Sequence, residues 1–265
     1  MKTLIFVVFL ATGPILSADI ATNVTCSVSG FLTATDPHSC SLQGPDQGPF
    51  GIPDFASATA NASFSLADNP SDFSSLSVDQ HADASPGFNN AGAPFAISSA
   101  RSQISVNETL FTTGSVRSGF VQVSATGSST GDFRGSSGSL DLSLASIAVS
   151  CFGSGQAAAT CVLWPNGAHS IPGYVLPVSL QYYPFTLGQA FNLSYSGSAG
   201  GDSTPLGSAN GYADLQFQFR FFEADGVTPV TVEAVPEPAT FALFGVALGA
   251  FIAGRKKIRS GFRLC

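Results

Sequence analysis

The stretch Leu215-Gln216-Phe217-Gln218-Phe219-Arg220-Phe221 decides the fold class. Its apolar side chains recur at every second position with Gln, Gln and Arg between them, the period of a strand and not of a helix. Such a strand lies in an antiparallel sheet with one face on a core and the other in water. It runs into Ala224-Asp225-Gly226, an Asp-Gly turn signal, and the chain is expected to return through residues 227–235 as the second arm of a hairpin, with Pro229 marking an edge strand.

The same alternation predicts strands at 115–125 (Phe120, Val121, Val123), 139–151 (Leu140, Leu142, Leu144), 157–164, 174–182 and 190–196 (Phe191, Leu193, Tyr195). Each is bounded by Gly, Ser, Asn or Pro. Outside the C-terminal tail no sustained 3.6-residue apolar stripe occurs, so helices should be few. Strands at this spacing predict an all-β chain whose body, residues 19–234, is a single antiparallel β-sandwich of jelly-roll type with a Phe-rich interior. The stretch 31–90 is less regular. Pro37, Pro45, Pro49, Pro53, Pro70 and Pro86 break it, and long loops over short strands are expected there.

The two ends carry different signals. Residues 1–18 read as a secretory signal peptide: Met1-Lys2 supplies a positive start, residues 4–16 an apolar run broken by Gly13-Pro14, and Leu16-Ser17-Ala18 a small-residue cleavage site. The run is shorter than the ~20 apolar residues of a membrane span, so cleavage after Ala18 is expected. At the far end Val235-Pro236-Glu237-Pro238 precedes an uncharged run, residues 239–254, and then the basic cluster Arg255, Lys256, Lys257 and Arg259. The prolines stop the preceding strand, and Pro238 can occupy the first turn of a helix, where its missing N–H costs nothing. A helix over 239–254 would rise about 24 Å at 1.5 Å per residue, a marginal transmembrane span for a ~30 Å hydrocarbon core. The basic cluster would stay cytoplasmic with residues 261–265, leaving the body on the outer face of the inner membrane.

Residues 235–260 closely resemble the PEP-CTERM sorting signal of Gram-negative bacteria, in which a Pro-Glu-Pro tripeptide, a membrane helix and an Arg-rich end follow in that order. The resemblance implies recognition by exosortase, a membrane-embedded cysteine transpeptidase. Cleavage would fall near residues 236–238, and the body would pass to the cell surface or to an extracellular exopolysaccharide matrix. The resemblance concerns the tail alone and names an address, not an activity.

Charge narrows the partners of the body. All three lysines lie in the terminal segments, so residues 19–235 hold four arginines (Arg101, Arg117, Arg134, Arg220) against sixteen acids, a formal −12. No nucleic-acid partner is expected, because phosphate neutralisation needs clustered Lys or Arg. The body cysteines form two local pairs, Cys26 with Cys40 and Cys151 with Cys161. In the oxidising environment of an exported protein proximity predicts these two pairs as the disulfides. Neither spacing matches a zinc ribbon and no His brackets them, so no metal site and no cofactor are expected.

Three groups of residues bear on activity. In Asp79-Gln80-His81-Ala82-Asp83 a His stands between two carboxylates, which on an extended strand would share one face and could orient a general base for an extracytoplasmic hydrolase. The Ser/Asp-rich setting before Pro86-Gly87 favours a solvated loop instead. Gly127-Ser128-Ser129-Thr130-Gly131 has the spacing of a nucleophile elbow without its strand-turn-helix context. Trp164, Tyr182 and Tyr183 could form an aromatic platform for sugar rings in a carbohydrate-binding module, although such residues more often pack. The expectation is therefore a non-enzymatic surface or matrix protein, structural or adhesive.

Overall fold

A computed structural model describes residues 19–28, 32–43, 52–88, 94–96, 98–131, 136–154, 161–166, 173–203 and 207–235. The expected signal peptide 1–18, the Pro236-Glu237-Pro238 tripeptide, the apolar run 239–254 and the basic cluster 255–259 lie outside the described residues. The described residues are all β, and they include no helix long and apolar enough to cross a membrane.

In chain order the strands are β1 (Asp19–Val28), β2 (Leu32–Asp36), β3 (Ser39–Gln43), β4 (Phe55–Ser65), β5 (Ser74–Ser85), β6 (Gly87–Phe88), β7 (Pro94–Ala96), β8 (Ser98–Thr112) and β9 (Arg117–Gly131). There follow β10 (Ser136–Leu144), β11 (Ile147–Ser154), β12 (Val162–Trp164), β13 (Tyr174–Val175), β14 (Val178–Leu187), β15 (Ala190–Asp202), β16 (Ala209–Glu223), β17 (Pro229–Val230) and β18 (Val232–Ala234). One sheet runs β13-β12-β11-β10-β15-β8-β1-β2, with β18 also on β8. The second runs β14-β9-β16-β5-β4-β3, with β17 on β16. The long strands at the centre of both sheets pair antiparallel with their neighbours.

The sheets stack with their apolar faces together. The quoted stretch falls within β16, the centre of the second sheet, and it points Leu215, Phe217, Phe219 and Phe221 inward with no exposure. Phe221 lies 5.2 Å from Phe191 of β15 and 4.7 Å from Phe185 of β14, so three strands from both layers share one aromatic contact. Fully burying each such ring contributes roughly 1.5–3 kcal/mol. Toward β4 and β5 the core is lined by alanines: Ala56, Ala58, Ala60, Ala82 and Ala84 are buried where these strands meet β1 and β8, which bury Val24 and Ala100.

Several boundaries differ from the sequence expectation. The stretch 31–90 holds two long strands, β4 and β5, and its described prolines fall between strands: Pro37 lies between β2 and β3, Pro53 precedes β4, Pro70 lies between β4 and β5, and Pro86 follows β5. The expected strand 139–151 is a hairpin, turned at Ala145 with φ 51°, a left-handed conformation with no glycine to announce it. Residues 227–235 are not one returning arm. β17 pairs β16 over only two residues, after which the Thr113 N–H donates to the Thr231 carbonyl at 3.1 Å and β18 joins β8 in the other sheet. The turn itself is as expected: Gly226 has φ 69°, and Asp225 Oδ1 accepts the N–H groups of Val227 and Thr228 at 2.8 and 2.9 Å.

Both disulfides form. Cys26 on β1 bonds Cys40 on β3, which joins the two sheets, and Cys151 on β11 bonds Cys161, which joins neighbours within the first sheet.

Candidate functional site

Asp79, His81 and Asp83 do not lie in a loop. They alternate along the outer face of β5 with the buried Val78, Gln80, Ala82 and Ala84, because β5 is paired on both sides: Thr59 of β4 and Tyr212 of β16 are the partners of His81. His81 Nδ1 lies 3.3 Å from Asp83 Oδ2, and the imidazole centroid is 6.3 Å from that of Tyr212. The register also brings in Asp214, which stands opposite Asp79 and which the sequence does not connect with it. Burial pushes the Asp214 carboxyl above its ordinary value, the Asp79 charge adds to this, and the Gln80 backbone N–H and His81 oppose it. Among the described residues no group of three or more His, Cys, Asp or Glu side chains is arranged to hold a metal ion.

This geometry makes a prediction about pH. A carboxyl raised in the folded state binds its proton more tightly there than in the unfolded chain, so its contribution falls as pH rises from about 4 and is fully unfavourable above the raised value. Asp214→Asn should therefore be more stable than wild type at pH 7, with the difference closing toward pH 4 in urea titrations. Equal stability at both pH values would show that neither burial nor the Asp79 charge raises the Asp214 carboxyl in the folded protein.

The expected aromatic platform is not assembled. Tyr182 and Tyr183 are successive residues of β14 and point to opposite faces: Tyr182 is 49% exposed, while Tyr183 is 6% exposed and turned inward. Burial, with a smaller effect of Tyr174 at 6.3 Å, pushes the Tyr183 phenol up to about 12. Trp164 belongs to the other sheet, on the outer face of β12. Tyr182 instead packs on Phe222, 5.6 Å between centroids, and the Arg220 guanidinium lies 5.0 Å from the same Phe222 ring and 4.3 Å from Phe73.

The outer face of the first sheet is different again. Two rows cross it in register: Asn23, Gln103, Ser198 and Ser139, then Ala21, Ser105, Ser196 and Asp141. Ser139 and Ser198 hydroxyls are 2.9 Å apart, and most of these side chains line one shallow depression. The next row runs Asn107, Ser194, Ser143, Ala148 to Trp164, so the single tryptophan closes this face at β12.

The remaining sequence candidates are structural. His38 sits at an exposed corner where Asp36 Oδ1 accepts the His38 and Ser39 N–H groups at 2.8 and 3.1 Å, bonds that lower the Asp36 carboxyl. Residues 127–131 continue β9, with Ser129 fully buried in the core, so this spacing is strand and not elbow. His169 lies outside the described residues.

Fold and surface together define a disulfide-bridged, acid-rich all-β sandwich whose last strand leads directly into a C-terminal tail. A family model for the PEP-CTERM protein-sorting motif matches residues 234–257, beginning on the last residue of β18. The chain therefore carries this motif and is an exported protein processed by exosortase. No curated protein and no solved structure matches the chain.

Proposed function

We propose that the body is a non-enzymatic structural or adhesive domain, held at the inner membrane as a precursor and then displayed at the cell surface or in an extracellular matrix rich in exopolysaccharide. The observation that carries this reading is the outer face of the first sheet. Its in-register Ser, Asn and Gln side chains offer many weak, repeated hydrogen-bonding positions over a shallow surface with one carboxylate, Asp141, in the two central rows. Such a surface suits contact with an extended neutral polymer or another wall component better than it suits chemistry on a small substrate, which needs an enclosing pocket. Trp164 on the same face supports the carbohydrate-binding form of this reading, since an indole stacks on sugar rings. We read the domain as a jelly roll. Successive strands β5, β8, β9 and β10 alternate between the sheets, as do β14, β15 and β16, giving the orders β5-β16-β9-β14 and β8-β15-β10-β11.

The test is carried out on the full chain in its producing cells. Ser105→Lys with Ser196→Lys should reduce cell-associated protein and cell–matrix adhesion at least several-fold, with export and tail cleavage unchanged by intact mass. Trp164→Ala should reduce retention on matrix polysaccharide, and His81→Ala should leave adhesion at the wild-type level. Undiminished adhesion in the double variant would overturn the proposal, and adhesion lost only in His81→Ala would favour the hydrolase reading.

A further inference from the structure

The body carries a formal −12, so each arginine in it has many carboxylates to choose from. Arg101 takes Asp202 at 3.4 Å and Arg117 takes Glu223 in a two-pronged pair. Arg220 does not follow this pattern. Among the described residues no carboxylate pairs with it, and its guanidinium is held by neutral acceptors: Nε donates to Gln122 Oε1 at 2.7 Å and Nη1 to the Ser71 carbonyl at 2.8 Å. The rings of Phe73 and Phe222 hold it on their faces. Nη2 takes part in neither bond. The result is a cation oriented in advance, with its charge uncompensated by its immediate neighbours.

Beside it the register sets Arg220 opposite Gln122 and Gln122 opposite Tyr182, three residues in one row across β16, β9 and β14. Between Arg220 and Tyr182, two strand spacings or roughly 10 Å apart, the floor is Phe222 and Gln122, which are 5% and 4% exposed. The Tyr182 ring is half-exposed above that floor. A planar guanidinium fork matches a carboxylate and an exposed phenol ring matches the C–H face of a pyranose.

We propose that this saddle binds a sugar ring bearing a carboxylate, a uronate-type residue, with the carboxylate on Arg220 and the ring face on Tyr182. The proposal rests on the adhesive reading for the presence of a matrix polymer, but it uses the opposite sheet and different residues. Because the body as a whole is strongly acidic, it favours a polymer in which such carboxylates are sparse, as a densely charged polyanion would be repelled.

The test uses the processed protein purified from the producing cells, titrated with a trisaccharide bearing one galacturonate among neutral rings and with its neutral methyl ester. Saturable binding of the acid is expected, at least tenfold tighter than of the ester and weakening with added salt. Arg220→Gln should lose at least tenfold, Arg220→Lys should fall between because an ammonium cannot form the fork, and Tyr182→Ala should lose several-fold. Tyr182→Ala leaves the contacts of the guanidinium to Ser71, Gln122 and Phe73 in place, so it remains informative if Arg220→Gln unfolds. Equal binding of acid and ester, no saturable binding by wild type, or undiminished binding in Tyr182→Ala would overturn the proposal. The first-sheet double variant should bind the trisaccharide like wild type, so failure of the adhesive reading and failure of this site are separately visible.

Discussion

Gly197→Ala is expected to lower the unfolding free energy by about 3 kcal/mol or more, a shift that combines overpacking with the loss of a buried hydrogen bond. Gly197 faces inward from β15, where a Cβ would overlap the Tyr195 hydroxyl and the Gln80 side-chain oxygen and stand 2.6 Å from Tyr195 Cζ. Those two groups fill the glycine's space because they are bonded to each other and to it. Tyr195 Oη donates to Gln80 Oε1 at 2.7 Å, and Gln80 Nε2 donates to the Gly197 carbonyl at 2.9 Å. Gln80 belongs to the second sheet and Tyr195 to the first, both are essentially unexposed, and the trio is a polar tie through the centre of the sandwich. Burial drives the Tyr195 phenol well above its ordinary value, so it stays a neutral donor at any physiological pH. A methyl group there must push the ring or the amide away, leaving a buried donor or acceptor unpaired.

A second substitution separates the clash from other causes. Tyr195→Phe alone should cost about 1–2 kcal/mol through the unpaired Gln80 oxygen. In combination with Gly197→Ala it should cost less than the sum of the two, since the hydroxyl that collides with the new Cβ is gone. Ser196→Ala, outward on the same strand, should stay within about 0.5 kcal/mol of wild type. Urea midpoints measure all four proteins, and additive costs would show that the three groups do not act as one unit.

What could be read from the sequence follows contrast in hydropathy. In β16, Phe alternates with Gln, and the two faces are plain. β4 and β5 have the same period, but Ala56, Ala58, Ala60, Ala82 and Ala84 face inward, against Ser, Thr and Asn outward on β4 and Ser, Asp and His outward on β5, so the inward side carries little hydropathy although the strands are eleven and twelve residues long. Alanine suffices there because the layers approach closely enough for small side chains to fill the gap. The turn at Ala145 carries neither Gly nor Pro, so a hairpin reads as a single strand. Cysteine proximity, by contrast, identifies both bridges, since short loops leave few sterically sensible alternatives.

The site candidates divide along the same line. Residues two apart on one strand, Asp79, His81 and Asp83, are visible as sharing a face, although their surroundings suggest a loop. Groups that meet through strand order are not visible. Asp214 reaches Asp79 only because β16 pairs β5, and the Arg220 saddle draws Tyr182, Gln122, Phe222 and Phe73 from three strands and a connection. A linear reading groups Tyr182 with its neighbour Tyr183, whereas the pleat of β14 sends the two to opposite faces.

Removing the Cys26–Cys40 bridge is the second large effect expected. The cysteines are 14 residues apart, and on the chain-entropy model closing such a loop in the unfolded state contributes about 3 kcal/mol. The position argues for at least that much. β2 and β3 are edge strands of different sheets joined by the exposed Asp36-Pro37-His38 corner, and β3 is bonded to its own sheet only through β4. The bridge fastens β3 to β1, the neighbour of β2, and so holds the open side of the sandwich shut. Cys26→Ser with Cys40→Ser in the exported protein should therefore lower the urea midpoint by an amount equivalent to about 3 kcal/mol. Reductant should lower the wild-type midpoint further than it lowers that of the double variant, which has only Cys151–Cys161 left to lose. The latter bridge spans 10 residues between strands already paired, so Cys151→Ser with Cys161→Ser should cost less. If the Cys26–Cys40 variant instead matched wild type while the Cys151–Cys161 variant unfolded, closure of the sandwich would rest on the first sheet alone.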